Sequence, residues 1–257
     1  MNARDAVRSS IGTLRARDLR GQARELVHAP SRWRLERSEV RAAAGKLRER
    51  PSSLVATIIA THDRQDLVVR AVESALAQTV TDQVVLVVAD GGAAPQLPSH
   101  PRLHALALDH HTGVPGLVRN VGIRSTGSRY LAFLDDDNLW RSDHLERALA
   151  AHEQGADLTY AGMRQVDLDG AVRGTVAVPF DRRRLRNDGF VDTSTIVVRR
   201  SSAVHFARTT GVYGVYEDWN LVFRLSRRHR VELVPELTVD YLLHPAGHMQ
   251  QHVSEPR

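Results

Sequence analysis

In the stretch Tyr130-Leu131-Ala132-Phe133-Leu134-Asp135-Asp136-Asp137-Asn138-Leu139-Trp140, an apolar strand runs directly into three consecutive carboxylates. Two like charges roughly 5 Å apart repel by about 3 kcal/mol at an effective dielectric near ~20, so the run lowers stability unless something cationic sits beside it. Mg2+ or Mn2+ would serve, because hard divalent cations take oxygen ligands and link one or two carboxylates to a substrate's phosphates. A solvated acidic turn is the plainer reading of three aspartates in a row. Their place at a strand end favours a site, since ligands of open α/β sheets bind beyond the carboxyl ends of the strands.

The pattern extends on both sides of the run. Leu54 to Ala60 is a near-continuous β-rich apolar stretch, as suits a strand covered on both faces. Val68, Ala71, Val72, Ala75 and Leu76 then recur at the helical period. Gln83 to Ala89 reads as a second buried strand ending in Asp90-Gly91-Gly92, and a weaker strand runs near Leu103 to Leu108. A helix is predicted from about Pro115 to Arg124, and another after the acidic run with Ser142 as its cap. Such alternation predicts a single α/β domain around a central, mostly parallel sheet. Pro51-Ser52-Ser53 marks its start, which divides the chain into a basic helical N-terminal extension, residues 1–50, and a domain over residues 51–257.

Charge follows the same boundary. Residues 1–50 hold thirteen basic against six acidic side chains, an excess larger than the net +5 of all 257 residues, so the domain itself is slightly acidic. No nucleic-acid partner is expected, and no zinc-finger spacing or RNA-binding aromatic motif points to one. The extension, broken at Ala29-Pro30-Ser31, reads as an arm that docks on its own domain or joins a homo-oligomer; a basic helix on an anionic membrane surface is the alternative. The absence of cysteine excludes disulfides, thiolate metal sites and cysteine nucleophiles. With no apolar stretch near 18 residues and no signal-peptide pattern, the chain is expected in the cytoplasm.

Four segments narrow the function: Thr57-Ile58-Ile59-Ala60-Thr61-His62-Asp63-Arg64; Val87-Val88-Ala89-Asp90-Gly91-Gly92; Val118-Arg119-Asn120-Val121-Gly122-Ile123 followed by the Tyr130 to Trp140 run; and Tyr216-Glu217-Asp218-Trp219-Asn220-Leu221. In this order they resemble the family 2 glycosyltransferases, whose GT-A fold is one Rossmann-like domain that binds a nucleotide sugar. The resemblance implies that Thr61, His62, Arg64, Asp90, Arg119 and Asp136 contact the nucleotide. It implies that Asp137 and His244 hold Mn2+ or Mg2+, and that Asp218 is the catalytic base. Asp192, Thr193, Glu217 and Trp219 then face the acceptor. The implied reaction is a metal-dependent, inverting transfer from a UDP-, GDP- or dTDP-linked sugar to a hydroxyl of a small molecule or glycan.

The residue types suit those roles, and each has a plainer reading beside it. Asp90 ends a strand beside two glycines, where a carboxylate can accept an N–H from a base; it could equally initiate a turn. Arg64 and Arg119 offer planar donor forks for a diphosphate or for acidic neighbours. Asp218 has the carboxylate that an inverting transfer needs opposite the leaving group, or it caps a helix. His248 and His252 lie close to His244 in sequence. Ala89 stands where the family often has a further Asp, and the processive Gln-x-x-Arg-Trp signature is absent. Two competing functions use the same cradle: a nucleotide-sugar mutase or isomerase, and a non-catalytic nucleotide-binding GT-A domain. Intact Asp136, Asp137 and Asp218 argue against the second.

Overall fold

A computed structural model describes residues 30–185, 189–208 and 217–243. Strands β1 (Val55–Thr61) and β2 (Gln83–Ala89) are apolar at nearly every position because both of their faces are covered. On one face, helix α2 (Gln65–Leu76) lays Val68, Ala71, Val72 and Ala75 against Val55, Ile59, Val85 and Val87. On the other, helix α3 (Pro115–Ser125) lays Leu117, Val118 and Val121 against Leu86 and Val88. Each larger side chain withdrawn from water in this way contributes on the order of 1.5–3 kcal/mol.

β1 pairs in parallel with β2 and with β4 (Tyr130–Asp135), and β2 pairs in parallel with β3 (Leu103–Ala107). The register sets Thr61 beside Ala89 and Ala60 beside Asp135. The carboxyl ends of β1, β2 and β4 therefore meet along one edge, which is where the sequence places Arg64, Asp90 and the acidic run. The elements that follow are β5 (Leu139–Trp140), α4 (His144–Glu153), β6 (Leu158–Val166), β7 (Val172–Val176), α5 (Arg182–Leu185), a 3-10 turn at Thr193–Thr195, β8 (Ile196–Arg199), α6 (Glu217–Leu225) and β9 (Val231–Leu242). They complete one sheet in the order β3-β2-β1-β4-β8-β6-β9-β5, with β7 on β6. The expected parallel arrangement holds for β3-β2-β1-β4 and for β6 with β9, while β8 runs antiparallel between β4 and β6.

One detail differs from expectation. Helix α4 starts at His144 with Asp143, not Ser142, in the cap position. Gln78 Oε1 accepts the Leu145 amide and the Ser142 carbonyl accepts the Thr79 amide, so a neighbouring loop does the work expected of a cap side chain. The described part of the extension docks on its own domain: α1 (30–46) buries Ala43 in the cluster of Leu86, Val88, Leu117 and Val121, with Leu35 and Val40 packed against it. Its described part thus completes the α3 face of the sheet. No helix among the described residues is long and apolar enough to cross a membrane.

Helix α3 can approach β1 because Gly122 has no side chain: a Cβ there would stand 2.7 Å from Ile58 Cγ2 and 3.3 Å from Val88 Cγ2. Gly122→Ala should lower stability by about 1–3 kcal/mol, seen as a lower urea midpoint at unchanged slope. Gly45, in α1, has nothing within 4 Å of its Cβ position. Gly45→Ala should leave stability unchanged or raise it by up to about 1 kcal/mol.

Candidate active site

The three aspartates at the end of β4 face different partners. Asp135 accepts from Arg119 Nη2 at 2.5 Å, and its own amide donates to Ser194 Oγ at 3.1 Å. Asp136 is buried and accepts from Thr61 Oγ1 at 2.7 Å and from Arg64 Nη1 at 3.1 Å. The same Arg64 nitrogen reaches Asp137 at 2.9 Å, so one guanidinium bridges two carboxylates. Asp63, with φ of 51°, turns the chain between β1 and α2 and sets Arg64 at the head of α2. The repulsion read from the sequence is thus partly offset by protein cations. Burial pushes Asp135 and Asp136 above the usual carboxylate range, against Arg119 at the first and against Thr61 and Arg64 at the second.

At the end of β2, Asp90 is 5% exposed and its two carboxylate oxygens accept the amides of Thr112 at 2.8 Å and Gly113 at 2.9 Å. It therefore shapes the loop before α3. The Asp90 carbonyl accepts from His62 Nδ1 at 3.2 Å and from His111 Nδ1 at 3.0 Å. The two rings stack with centroids 4.1 Å apart, half-exposed beside Asp90. Gly91 permits this approach: its φ is 79°, and a Cβ there would meet the His111 backbone at 2.6 Å.

Across the sheet edge, Arg119 also pairs with Glu217, the first residue of α6, and its guanidinium lies 5.2 Å from the Phe206 ring centroid. Arg119 is 6% exposed, and its Nε is buried without a hydrogen-bond partner. Asp218 is 8% exposed, 3.4 Å from Thr193 Oγ1, and accepts the Trp219 amide. Burial pushes its carboxyl up to about 7; the Trp219 amide pulls the other way, and Glu217 and Asp135 add to the rise. Asp192 accepts the Ser194 amide and is pushed well above its ordinary range by burial and by Asp135 and Asp218.

The structure brings together Thr61, Arg64, Arg119, Asp135, Asp136, Asp137, Asp192, Thr193, Glu217 and Asp218, and sets His62 beside Asp90 on the same edge. Trp219 follows Asp218 in α6 and is half-buried. His244 lies outside the described residues. Three further residues join the site. His111 stacks on His62; Ser194 ties Asp135 to Asn138; and Tyr241, on β9, has a hydroxyl whose pKa burial and Asp192, Asp137, Asp135 and Asp218 all raise. Tyr241 opens the stretch Tyr241-Leu242-Leu243-His244-Pro245 that carries His244, and His111 lies between β3 and α3 outside the four segments.

Among the described residues, no three His, Asp or Glu side chains are grouped to hold an ion. Mg2+ and Mn2+ sites formed with phosphates need just one or two carboxylates. Asp137 fits such a ligand, since it is partly exposed and lies in a region where acidic groups outnumber guanidiniums. An ion held there would share Asp137 with Arg64.

A family model described as glycosyl transferase family 2 matches residues 56–203, more than half of the chain. The succinoglycan biosynthesis protein ExoO of Rhizobium meliloti (strain 1021) is 38% identical over 122 residues, which cover 45% of this chain and 35% of that protein. The putative teichuronic acid biosynthesis glycosyltransferase TuaG of Bacillus subtilis (strain 168) is 27% identical over 125 residues, covering 46% and 49%. The chain thus spans half or less of the curated relatives it matches. Among solved structures, S. aureus TarS 1-349 in complex with UDP-GlcNAc superimposes with a TM-score of 0.55 at 17% identity, covering 76% of this chain and 60% of that one. The same protein in complex with UDP gives 0.53 at 18% identity, covering 74% and 61%. These structural likenesses bear on the fold.

Proposed function

The chain belongs to glycosyl transferase family 2, and on that footing we propose that it moves a sugar from a UDP-sugar to an acceptor hydroxyl, with inversion at the anomeric carbon. The observation that carries the mechanism is Asp218, a buried carboxyl 3.4 Å from Thr193 Oγ1 whose pKa burial, with Glu217 and Asp135 nearby, pushes up to about 7. A general base works best with a pKa close to the operating pH. In the transfer, the acceptor oxygen forms its bond to the anomeric carbon as the bond from that carbon to the donor's phosphate oxygen breaks. Asp218 takes the hydroxyl proton, and the nucleoside diphosphate leaves on the opposite face.

The donor side is supported by the stacked His62 and His111 rings, which offer a flat face to a base, and by the UDP and UDP-GlcNAc that the structurally similar TarS binds. Asp90 holds the loop that carries His111, so its part is to build the base site. Asp136 serves the ribose end. Mn2+ or Mg2+, held by Asp137, by the donor's phosphates and by His244, would supply neutralisation of the charge that builds on the departing diphosphate. Arg119 holds Glu217 and Asp135 with its two terminal nitrogens, and Asp192, Thr193, Glu217 and Trp219 border the acceptor.

The test is incubation of the purified protein with a panel of nucleotide sugars and Mn2+, with and without glycan or small-molecule hydroxyl acceptors. UDP release that requires an acceptor is the expected result. A rearranged sugar with its diphosphate linkage intact would make the protein a mutase, and binding of UDP without turnover would make it a nucleotide-binding module.

A further inference from the structure

Glu36 lies in α1, outside the span matched by the family model, and is fully buried. Its carboxylate accepts Arg208 Nε at 2.6 Å and Nη2 at 2.9 Å, accepts Asn120 Nδ2 at 2.9 Å, and lies 3.1 Å from Arg124 Nη2. Arg32, one turn earlier, donates to the Arg208 carbonyl at 3.0 Å. Two residues of α1 therefore clamp Arg208, the last described residue of the segment that leads in sequence to Glu217 and Asp218. The clamp reaches the site by a second route. Asn120, next to Arg119, pairs both its amide oxygen and nitrogen with the backbone of Phe206, at 2.7 Å and 3.0 Å. The Phe206 ring backs the Arg119 guanidinium, and a Cβ on Gly116 would strike both the Ala207 carbonyl and Glu217.

A buried ion pair is a weak source of stability, because desolvation cancels much of its attraction. Its geometric effect is more definite: a bidentate fork fixes direction as well as distance. We propose that Glu36 is a positioning residue for the transfer, setting the chain at Phe206–Arg208 and, through Asn120 and Phe206, the Arg119–Glu217 pair beside Asp218. Through Glu36 the N-terminal helix then supports the acceptor half of the active site, whereas its Glu39 accepts the Asp109 amide and meets His110 Nδ1 on the other side. This rests on the transferase reading of Asp218, whereas the donor-side groups Asp90 and Asp136 make none of these contacts.

Glu36→Gln, Arg208→Gln and the double variant test it, with hydrogen exchange measured alongside kinetics. Expected are a fall in kcat of about tenfold or more in either single variant and UDP affinity within about twofold of wild type. The double variant should be no worse than the singles, as for two groups acting through one contact. If Glu36→Gln does not fold, Arg208→Lys, which keeps the charge and loses the fork, is read the same way. Unchanged kcat, additive losses, or UDP affinity falling in step with kcat would overturn the proposal. Exchange separates this from failure of the functional reading: faster exchange at residues 203–208 and at the start of α6, with β1 and β2 unchanged, supports the coupling even if the wild type transfers no sugar. Unchanged exchange at those amides overturns it at any level of activity.

Discussion

Asp218→Asn is expected to lower transfer by roughly 10²- to 10⁴-fold while UDP affinity stays close to that of wild type, because a general base acts in the transition state. The same substitution should stabilise the protein at high pH. The Asp218 carboxyl has an ordinary value of 3.8 and is pushed up to about 7 in the folded chain. Between those values the folded state keeps a proton that the unfolded state has lost, so this group's contribution falls as pH rises through that window and is flat above it. Asn has no such penalty. Unfolding free energies from urea melts should therefore be similar near pH 4 and diverge in favour of the variant by pH 8, by on the order of a few kcal/mol. A helix-capping role predicts the reverse, a loss of about 1 kcal/mol with turnover preserved. In α6 Asp218 lies in the first turn, after Glu217.

Asp137→Ala carries the second large effect. In Mn2+, the variant should bind UDP at least about tenfold more weakly than wild type, since loss of even a residue hydrogen-bonded to a metal ligand commonly costs about that much. Added chelator should then weaken the variant little further while weakening wild type strongly. Titration calorimetry reads both arms. Equal affinities in wild type and variant would leave the Arg64 bridge to Asp136 and Asp137 as the device that balances this acidic cluster.

That Asp90 and the acidic run gather at one edge is legible because these residues sit at the ends of short-range elements. Asp90 and Asp135–Asp137 lie at the carboxyl ends of apolar strands, and the strand register alone brings those ends together. His111 was not legible, since its position depends on Asp90 drawing in the Thr112 and Gly113 amides across more than twenty residues of chain. Tyr241 reaches the cluster on β9, a strand whose Pro235 and register shifts against β6 obscure its alternation. Glu36 gave no signal either: one acid in an Arg-rich helix reads as solvated charge, and its burial appears once Arg208 and Asn120 close over it.

The measurement that tests the account most directly is the pH dependence of kcat/KM for the donor and acceptor found in the nucleotide-sugar panel, taken from pH 5 to pH 9. A raised Asp218 acting as base predicts a rate that climbs tenfold per pH unit on the acid side and levels off near pH 7. A profile flat from pH 5 upward in the wild-type enzyme would contradict it.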